Sequence, residues 1–589
     1  MGFKFGRGLP GASKQHGRLV RRSLLACTAL AAGYAYDRQV QASSISRTLR
    51  TFCDMAIICL DYKLNFLPER GPAHLDRIHR RAARRLLLCC KENGGLFIKF
   101  GQSIAVQSSL LPPPFREELN ELYDNAPSVG VREIAPVVER SFGRPLEDVF
   151  MDFSEVAVAS ASVAQVHTAR LRADPAAGLV AVKVQKPEIK LQIDWDLFTF
   201  RACAWLIERA FGVPIMWSVR EVEQRLREEL DFEREANNSE LARGDLQRLA
   251  DRQLRRAVYV PRVFWAATRR EVLTTEWVDG TSLVDPARLQ AEGWAARDVM
   301  QRMVALFAFQ IFVSGNVHGD PHPGNILVRQ NPHNHLWREP QLVLLDHGLY
   351  VRESPEFRRQ YAQFWRAALV ADRAEMTRIA AAWGMADAAM FSAMVSLRPT
   401  AQLPRDDGPA AWADGGPDGG SGGAYERQME VKRRAIKALK ETSGLPPELV
   451  FVVRNSNIVR ANNQSLGIPV DRIQILGQYA ALGLRRQLVD DALAPSRKYD
   501  RARGVVWERA ALASRALGVL RAEWSYITFR LALCVAGVGV AVWGACGRAY
   551  ALVTGKKWGR DLDVVLDDAM RRAVERKLGY RIDTSLFNA

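Results

Sequence analysis

No Cys-x-x-Cys pair occurs in the 589 residues, and two of the eight cysteines, Cys89 and Cys90, are adjacent. That usage excludes a disulfide scaffold and offers no zinc-ligand spacing, so reduced thiols are expected. Acid is missing from residues 1–36, which hold Lys4, Arg7, Lys14, Arg18, Arg21 and Arg22 without one Asp or Glu. A basic, acid-free start is the composition of a mitochondrial transit segment. A secretory signal, with Arg21-Arg22 as its n-region and Leu24 to Ala32 as its h-region, is the competing reading, and the cysteine usage disfavours it. The formal net charge is +17, yet the core has no concentrated basic tract and no nucleic-acid module. Nucleic acid is therefore not an expected partner, and the charge suits a protein lying against an anionic membrane.

Long apolar runs are scarce. Leu24 to Tyr36 is apolar for only thirteen residues, whereas Leu531 to Gly547 is a charge-free run of seventeen between Arg530 and Arg548, bordered by Trp524 and Tyr526. A membrane span needs about 17–25 apolar residues, with interfacial aromatics and flanking arginines as anchors. Gly537, Gly539, Gly544 and Gly547 allow close helix packing and would weaken a helix in water, so a membrane helix is expected and a buried core helix is the alternative. From Pro404 to Gly423 apolar residues are few, which marks a flexible insertion.

What is present is chemistry. The segment His318-Gly319-Asp320-Pro321-His322-Pro323-Gly324-Asn325 and the tripeptide Asp346-His347-Gly348 place Asp, Asn and Asp in the order that phosphoryl transfer uses. In a kinase arrangement Asp320 orients the acceptor hydroxyl while Asn325 and Asp346 hold Mg²⁺. Asn325 opens the apolar run Ile326-Leu327-Val328 and Asp346 closes Leu342 to Leu345, so each metal ligand sits at the end of an expected buried strand. Two ordinary turns are the bland alternative. Upstream, Leu179 to Gln185 reads as a buried strand with one cation, Lys183, which needs phosphate and a carboxylate there. Before it the small residues Ala159, Ser160, Ala161, Ser162, Val163 and Ala164 stand where a kinase carries its glycine-rich phosphate cover. Alanine forbids the positive-φ states that glycine allows, so this cover should be stiffer.

These residues resemble the UbiB family of atypical kinases, also called the ABC1 or aarF-domain-containing kinases, over roughly residues 90 to 470. Lys99-Phe100-Gly101-Gln102 fits the family's Lys-x-Gly-Gln signature, and Glu229-Leu230-Asp231 fits its Glu-x-Asp. The resemblance implies that Glu235 is the helix glutamate pairing with Lys183, that Glu229 and Asp231 engage Lys99 and Gln102, and that the Lys99 helix obstructs a protein substrate. The wording around Asp320 and Asp346 is similar to the mitochondrial branch rather than the branch dedicated to coenzyme Q assembly. Residue by residue the bland readings stand beside these: Lys99 among Phe97, Ile98 and Phe100 as a snorkelling lysine, and the charges from Glu221 to Glu240 as a solvated helix face. The polar residues Arg454, Asn455, Asn457, Arg460, Asn462 and Asn463 resemble a family segment with no assigned role.

The resulting expectation is an α+β, bilobal protein-kinase-like fold with an N-terminal helical extension and additional C-terminal helices. Its parts would be a targeting segment at 1–50, the extension at 51–155, an N-lobe at 156–280 and a C-lobe at 281–403. An insertion at 404–425, helices at 426–525, a transmembrane helix at 526–548 and a tail at 549–589 would follow. The implied activity is an ATP-dependent kinase or ATPase using ATP/ADP and Mg²⁺ at a mitochondrial membrane, in lipid- or quinone-related metabolism, with membrane lipid as a partner and the acceptor unidentified. A conventional Ser/Thr protein kinase is an alternative, but Ser354-Pro355-Glu356 follows Asp346 too closely to match an Ala-Pro-Glu activation segment. A nucleotide-binding scaffold without turnover is the other, and the intact set of Lys183, Asp320, Asn325 and Asp346 gives it no support.

Overall fold

The computed structural model describes residues 25, 28, 32–67, 70, 72–106, 112–123, 128–212, 215–334, 337–370, 372–384, 446–467, 470–493, 515–531 and 533–534. The expected transit segment up to residue 24, the expected insertion at 404–425 and most of the 531–547 run lie outside these residues. By contacts the chain forms two compact units. The first comprises residues 1–146, 154–167 and 183–226, and the second comprises 147–153, 168–182 and 227–589.

The first unit is built on helices α1 (Ser44–Asn65), α2 (Pro72–Asn93), α3 (Leu96–Val106) and α4 (Ile189–Phe211), and takes in α5 (Met216–Glu229) as far as Leu226. Asp37 starts α1 from outside the helix, its carboxylate accepting from the backbone N–H groups of Ile45 (2.8 Å) and Ser46 (2.9 Å). Those first-turn donors have no partner within the helix, so a carboxylate there stabilises it. Helices α1 and α4 run in parallel register. Gln192 Nε2 donates to Ala42 O at 2.8 Å, Thr48 and Thr199 hydroxyls meet at 2.9 Å, and the rings of Tyr62 and Phe211 lie 6.2 Å apart. Between them Arg47 Nη2 donates to Asp196 Oδ2 at 2.5 Å, with both side chains buried. Phe100 of α3 stacks on Phe200 of α4 at 4.3 Å.

Strands β1 (Phe150–Met151), β3 (Ala164–Leu171), β4 (Leu179–Gln185) and β6 (Val272–Glu276) form a sheet in that order, with β2 (Ala159–Ser160) paired to β3. The expected buried strand at 179–185 is therefore β4, and Val180, Val182 and Val184 on it are fully buried.

In the second unit β5 (Val258–Tyr259), β10 (Pro340–Leu344), β9 (Ile326–Gln330) and β7 (Thr281–Ser282) make a second sheet, and β8 (Asn316–His318) pairs with β11 (Tyr350–Arg352). Every residue of β10 is buried, Gln341 included, and the apolar run from Leu342 fits a strand covered on both faces. Helix α7 (Ala296–Phe309) buries Val299, Met300, Met303, Val304, Leu306 and Phe307 against this sheet. Helices α8 (Pro355–Leu369), α9 (Pro447–Ser465) and α10 (Arg472–Leu493) share a further core around Trp365, Tyr361 and Phe364. The acidic stretch from 221 to 240 is two helices rather than one. Helix α5 ends at Glu229 and α6 (Phe232–Gln247) begins beyond Asp231, whose carboxylate accepts from Arg234 N at 3.2 Å and caps it.

Candidate active site

Two antiparallel ladders bring Asp320, Asn325 and Asp346 of the second unit together. Tyr350 lies opposite His318 in the β8–β11 pair, and Leu344 opposite Ile326 in the β9–β10 pair. Asp320 thus follows β8 by two residues, Asn325 immediately precedes β9, and Asp346 follows β10 by two. Leu345 N donates to Asn325 O at 3.0 Å, closing the strand ends. Asn325 Nδ2 then donates to Asp346 Oδ2 at 3.2 Å, and Gly348 N donates to Asp346 Oδ1 at 2.8 Å. A Cβ added to Gly348 would lie 3.2 Å from Asp346 Oδ1 and 3.9 Å from both Glu229 Cγ and Glu235 Oε2, so those two glutamates flank the same turn. Glu235 is buried in the first turn of α6.

His318 joins the loops. Its Nδ1 accepts from Asp320 N at 3.1 Å, its Nε2 donates to Asp346 O at 3.0 Å, and its own N–H reaches Gln310 Oε1 at 3.1 Å. Burial lowers the imidazole pKa against the opposing pull of the Asp346 and Asp320 carboxylates, which favours the neutral ring that this pattern of one donor and one acceptor needs. Helix α9 clamps the loop from its other side. Asn455 Nδ2 donates to His318 O at 2.7 Å, Asn462 Nδ2 to Pro321 O at 3.4 Å, and Arg454 Nη2 sits 3.4 Å from Asp320 Oδ2. The Asp320 side chain stays 41% exposed, enough to meet an acceptor.

The small-residue segment in the first unit is a tight hairpin. Ala159 pairs with Val166 and Ser160 with Gln165, while Ala161 N donates to Ala164 O at 2.8 Å, leaving Ser162 and Val163 as the turn. Lys186 Nζ donates to Ala161 O at 2.7 Å, and its N–H to Val163 O at 3.0 Å. Burial pushes the Lys186 ammonium below the ordinary lysine range, with Glu188 opposing. Gln165 holds the hairpin's base through both amide groups, accepting from Val129 N and donating to Val129 O at 2.9 Å each. Lys183 is half-buried on β4, and Lys99 half-buried on α3. Gly101 is buried where a Cβ would collide with Leu122, and Gln102 Nε2 donates to Leu122 O at 2.9 Å.

Asp320, Asn325, Asp346, Glu229 and Glu235 are thus gathered within the second unit, where Asp231 caps α6. Ala159 to Ala164, Lys183, Lys99, Gly101 and Gln102 belong to the first. Sequence reasoning missed His318, Lys186 and Arg454 as organisers. Arg454 and Asn455 had a visible signal, polar residues interrupting an apolar helix. Among the described residues no cluster of three or more His, Cys, Asp or Glu could hold a metal ion. A donor pair of one carboxylate and one amide oxygen fits Mg²⁺, which takes one or two protein ligands and completes its shell with phosphate and water. Ser162 Oγ is buried in the hairpin turn without a hydrogen-bond partner.

A family model described as the ABC1 atypical kinase-like domain matches residues 121–380. An ABC1 family protein of Schizosaccharomyces pombe is 36% identical over 448 residues, covering 76% of this chain and 81% of that protein. Another from Purpureocillium lilacinum is 37% identical over 494 residues, covering 77% and 79%. AarF domain-containing protein kinase 1 of Xenopus laevis is 30% identical over 404 residues, covering 67% and 72%. The matched segment takes in the small-residue hairpin, Asp320, Asn325 and Asp346 but neither Lys99 nor Arg454, and with these relatives it shows that the chain belongs to the ABC1 family of atypical kinase-like proteins and has that family's α+β fold.

Proposed function

We propose that the chain is an ATP- and Mg²⁺-dependent phosphotransferase or ATPase that works at a mitochondrial membrane, in lipid- or quinone-related metabolism. The observation that carries the reading is the His318 centre, which holds Asp320 and the Asn325–Asp346 pair at fixed loop ends within one compact unit. In this reading Asp320 orients the acceptor hydroxyl or water, Asn325 and Asp346 hold Mg²⁺, and Lys183, positioned by Glu235, binds the α and β phosphates. Bound Mg²⁺ would neutralise charge on the phosphoryl group. The hairpin from Ala159 to Ala164 covers the phosphates with backbone N–H groups. Lys99, Gly101, Gln102, Glu229 and Asp231 belong to control of access. The catalytic loop from His318 to Asn325 has no Lys or Arg, and Arg454 is the cation that stands beside Asp320 in its place.

The membrane and mitochondrial parts rest on the acid-free start and the charge-free 531–547 run, both largely outside the described residues. No described helix is long and apolar enough to cross a membrane. Turnover of ATP by purified full-length protein, with and without membrane lipid and beside an Asp320→Asn control, tests the reading. Equal turnover by wild type and Asp320→Asn would end it.

A further inference from the structure

Helix α7 does not stop at Phe309 but widens into a π-turn over Gln310–Ser314, closed by Gly315 N donating to Gln310 O at 2.8 Å. Such turns are uncommon and recur at functional sites. Gly315, with a φ of 77°, leads the chain back into β8, and His318 N–H there reaches Gln310 Oε1 at 3.1 Å. Helix α10 fits the wide turn through Gly483, where a Cβ would collide with Phe312 O. The other end of the Gln310 amide meets Tyr350 of β11. Burial pushes the Tyr350 hydroxyl pKa up, and a hydrogen bond to the Gln310 side chain opposes that rise, so the amide presents its N–H to the phenolic oxygen.

From Tyr350 the hydrogen bonds run on in one sense. His347 Nε2 donates to Leu344 O at 3.3 Å, since a carbonyl can only accept. In that tautomer His347 Nδ1 accepts from the Tyr350 hydroxyl at 3.0 Å, which leaves the phenolic oxygen to accept from Gln310. The chain starts at the backbone two residues before Asp320 and ends on the residue after Asp346, and both Gln310 and His347 are buried, where an unmade bond is costly. Asn238 Nδ2 of α6 fixes the same residue from another side, donating to His347 O at 3.0 Å. We infer that Gln310, Tyr350 and His347 are positioning residues that set the Asp346 turn against the Asp320 loop, and thereby the grip of Asp346 on Mg²⁺. The inference rests on the proposed reading of Asp346 as a metal ligand and names what holds that ligand in place. His318 Nε2 holds the Asp346 carbonyl, whereas the course of the chain into Gly348, whose N–H steadies Asp346 Oδ1, depends on the His347 ring. Where a kinase Asp-Phe-Gly turn is set by the packing of its Phe, this turn is set by directed hydrogen bonds.

Binding of a fluorescent ATP analogue to the full-length protein, titrated with Mg²⁺, tests this without turnover. Tyr350→Phe keeps the ring beside those of His318 and His347, 4.9 and 5.6 Å away, and deletes the hydroxyl that joins the chain. It should raise the Mg²⁺ concentration for half-maximal binding about 10-fold, the lower end for a group that supports a metal ligand, while affinity in EDTA stays at the wild-type value. Gln310→Met should raise it by a similar factor, and the double variant by no more than the larger single effect, because both changes cut one chain. An unchanged Mg²⁺ half-point in either single variant, effects that multiply in the double variant, or an equal loss of affinity in EDTA overturns the inference. A lowered melting temperature with wild-type Mg²⁺ dependence likewise overturns it and assigns the three residues to packing. Wild-type protein whose nucleotide binding ignores Mg²⁺ overturns the proposed metal site itself, and this inference with it.

Discussion

In the first unit the buried polar centre is an ion pair, Arg47 with Asp196; in the second it is a single neutral ring, His318. The pair is poorly served. Burial pushes the Asp196 carboxyl up to about 6 despite the opposing Arg47, and the same burial lowers the Arg47 guanidinium against the pull of Asp196. Arg47 Nε and Asp196 Oδ1 have no hydrogen-bond partners at all. His318 makes hydrogen bonds with both ring nitrogens, its N–H and its carbonyl, and the groups it binds belong to three separate segments. A buried charge pair fixes which helices meet at a cost in desolvation, whereas a neutral hub fixes loops at small electrostatic cost and leaves the carboxylates beside it to carry the charge.

The largest expected effect breaks the first centre. Arg47→Ala leaves Asp196 as an uncompensated buried acid and should destabilise the unit by about 3–5 kcal/mol, read as the shift in a urea melt. Replacing both partners, Arg47→Met with Asp196→Leu, should recover most or all of it, which would mark the pair as a device of specificity rather than of stability. The pH dependence has a definite sign. A carboxyl raised from 3.8 to about 6 contributes stability that is fully present below 3.8 and is lost as pH rises through about 6, so Asp196→Asn should flatten the melt between those values.

Next in size is Arg454 beside Asp320. Arg454→Ala should lower kcat for ATP turnover on the order of 100-fold, equivalent to about 2.7 kcal/mol, while Arg454→Lys should retain part of it. Since the two side chains are 26% and 41% exposed, the melting temperature should hardly move. A loss of stability with unchanged kcat would make Arg454 a packing residue and return the loop to a site without its own cation.

The same contrast explains what could be read from the sequence. Asp320, Asn325 and Asp346 were legible because turn residues there abut apolar runs; β9 begins where its run does, and β10 ends one residue before the end of the 342–345 run. Lys183 was legible as a cation inside a valine-rich strand. Arg47 and Asp196 were not, because their burial arises only when α1 and α4, about 150 residues apart in sequence, lie side by side. Lys186 was hidden for a similar reason. Its bond to Ala161 O spans 25 residues, and next to a strand end it reads as an ordinary surface lysine. The helix break at Leu230-Asp231 was masked by charges that continue the helical spacing across it, and only the cap hydrogen bond shows it.

A smaller effect is expected where α9 meets the second centre. Asn455→Ala removes the amide that donates to His318 O at 2.7 Å and leaves that buried carbonyl short of a donor, which should cost about 1–3 kcal/mol in the melt. Turnover should fall with it, because the Asp320 loop loses a restraint. A destabilised protein with unaltered kcat would show that His318 alone holds the loop.

The smallest effect separates two roles for Asp231. As the N-cap of α6 it accepts from Arg234 N at 3.2 Å, and its ion pair with Arg270 is long, at 3.7 Å, and mostly exposed on the arginine side. Removing the cap with Asp231→Ala should therefore cost about 1 kcal/mol, and the exposed pair should add little. Asp231→Asn keeps a capping oxygen and discards the charge. If Asp231 serves only to start α6, and through it to hold Glu235 in the first turn, the Asn variant should match wild type in both melt and turnover. If the Glu-x-Asp motif acts through its charge in control of access, the Asn variant should melt like wild type yet turn over ATP at a different rate. A change in turnover without a change in melt would thus take Asp231 out of the structural class in which its cap geometry places it.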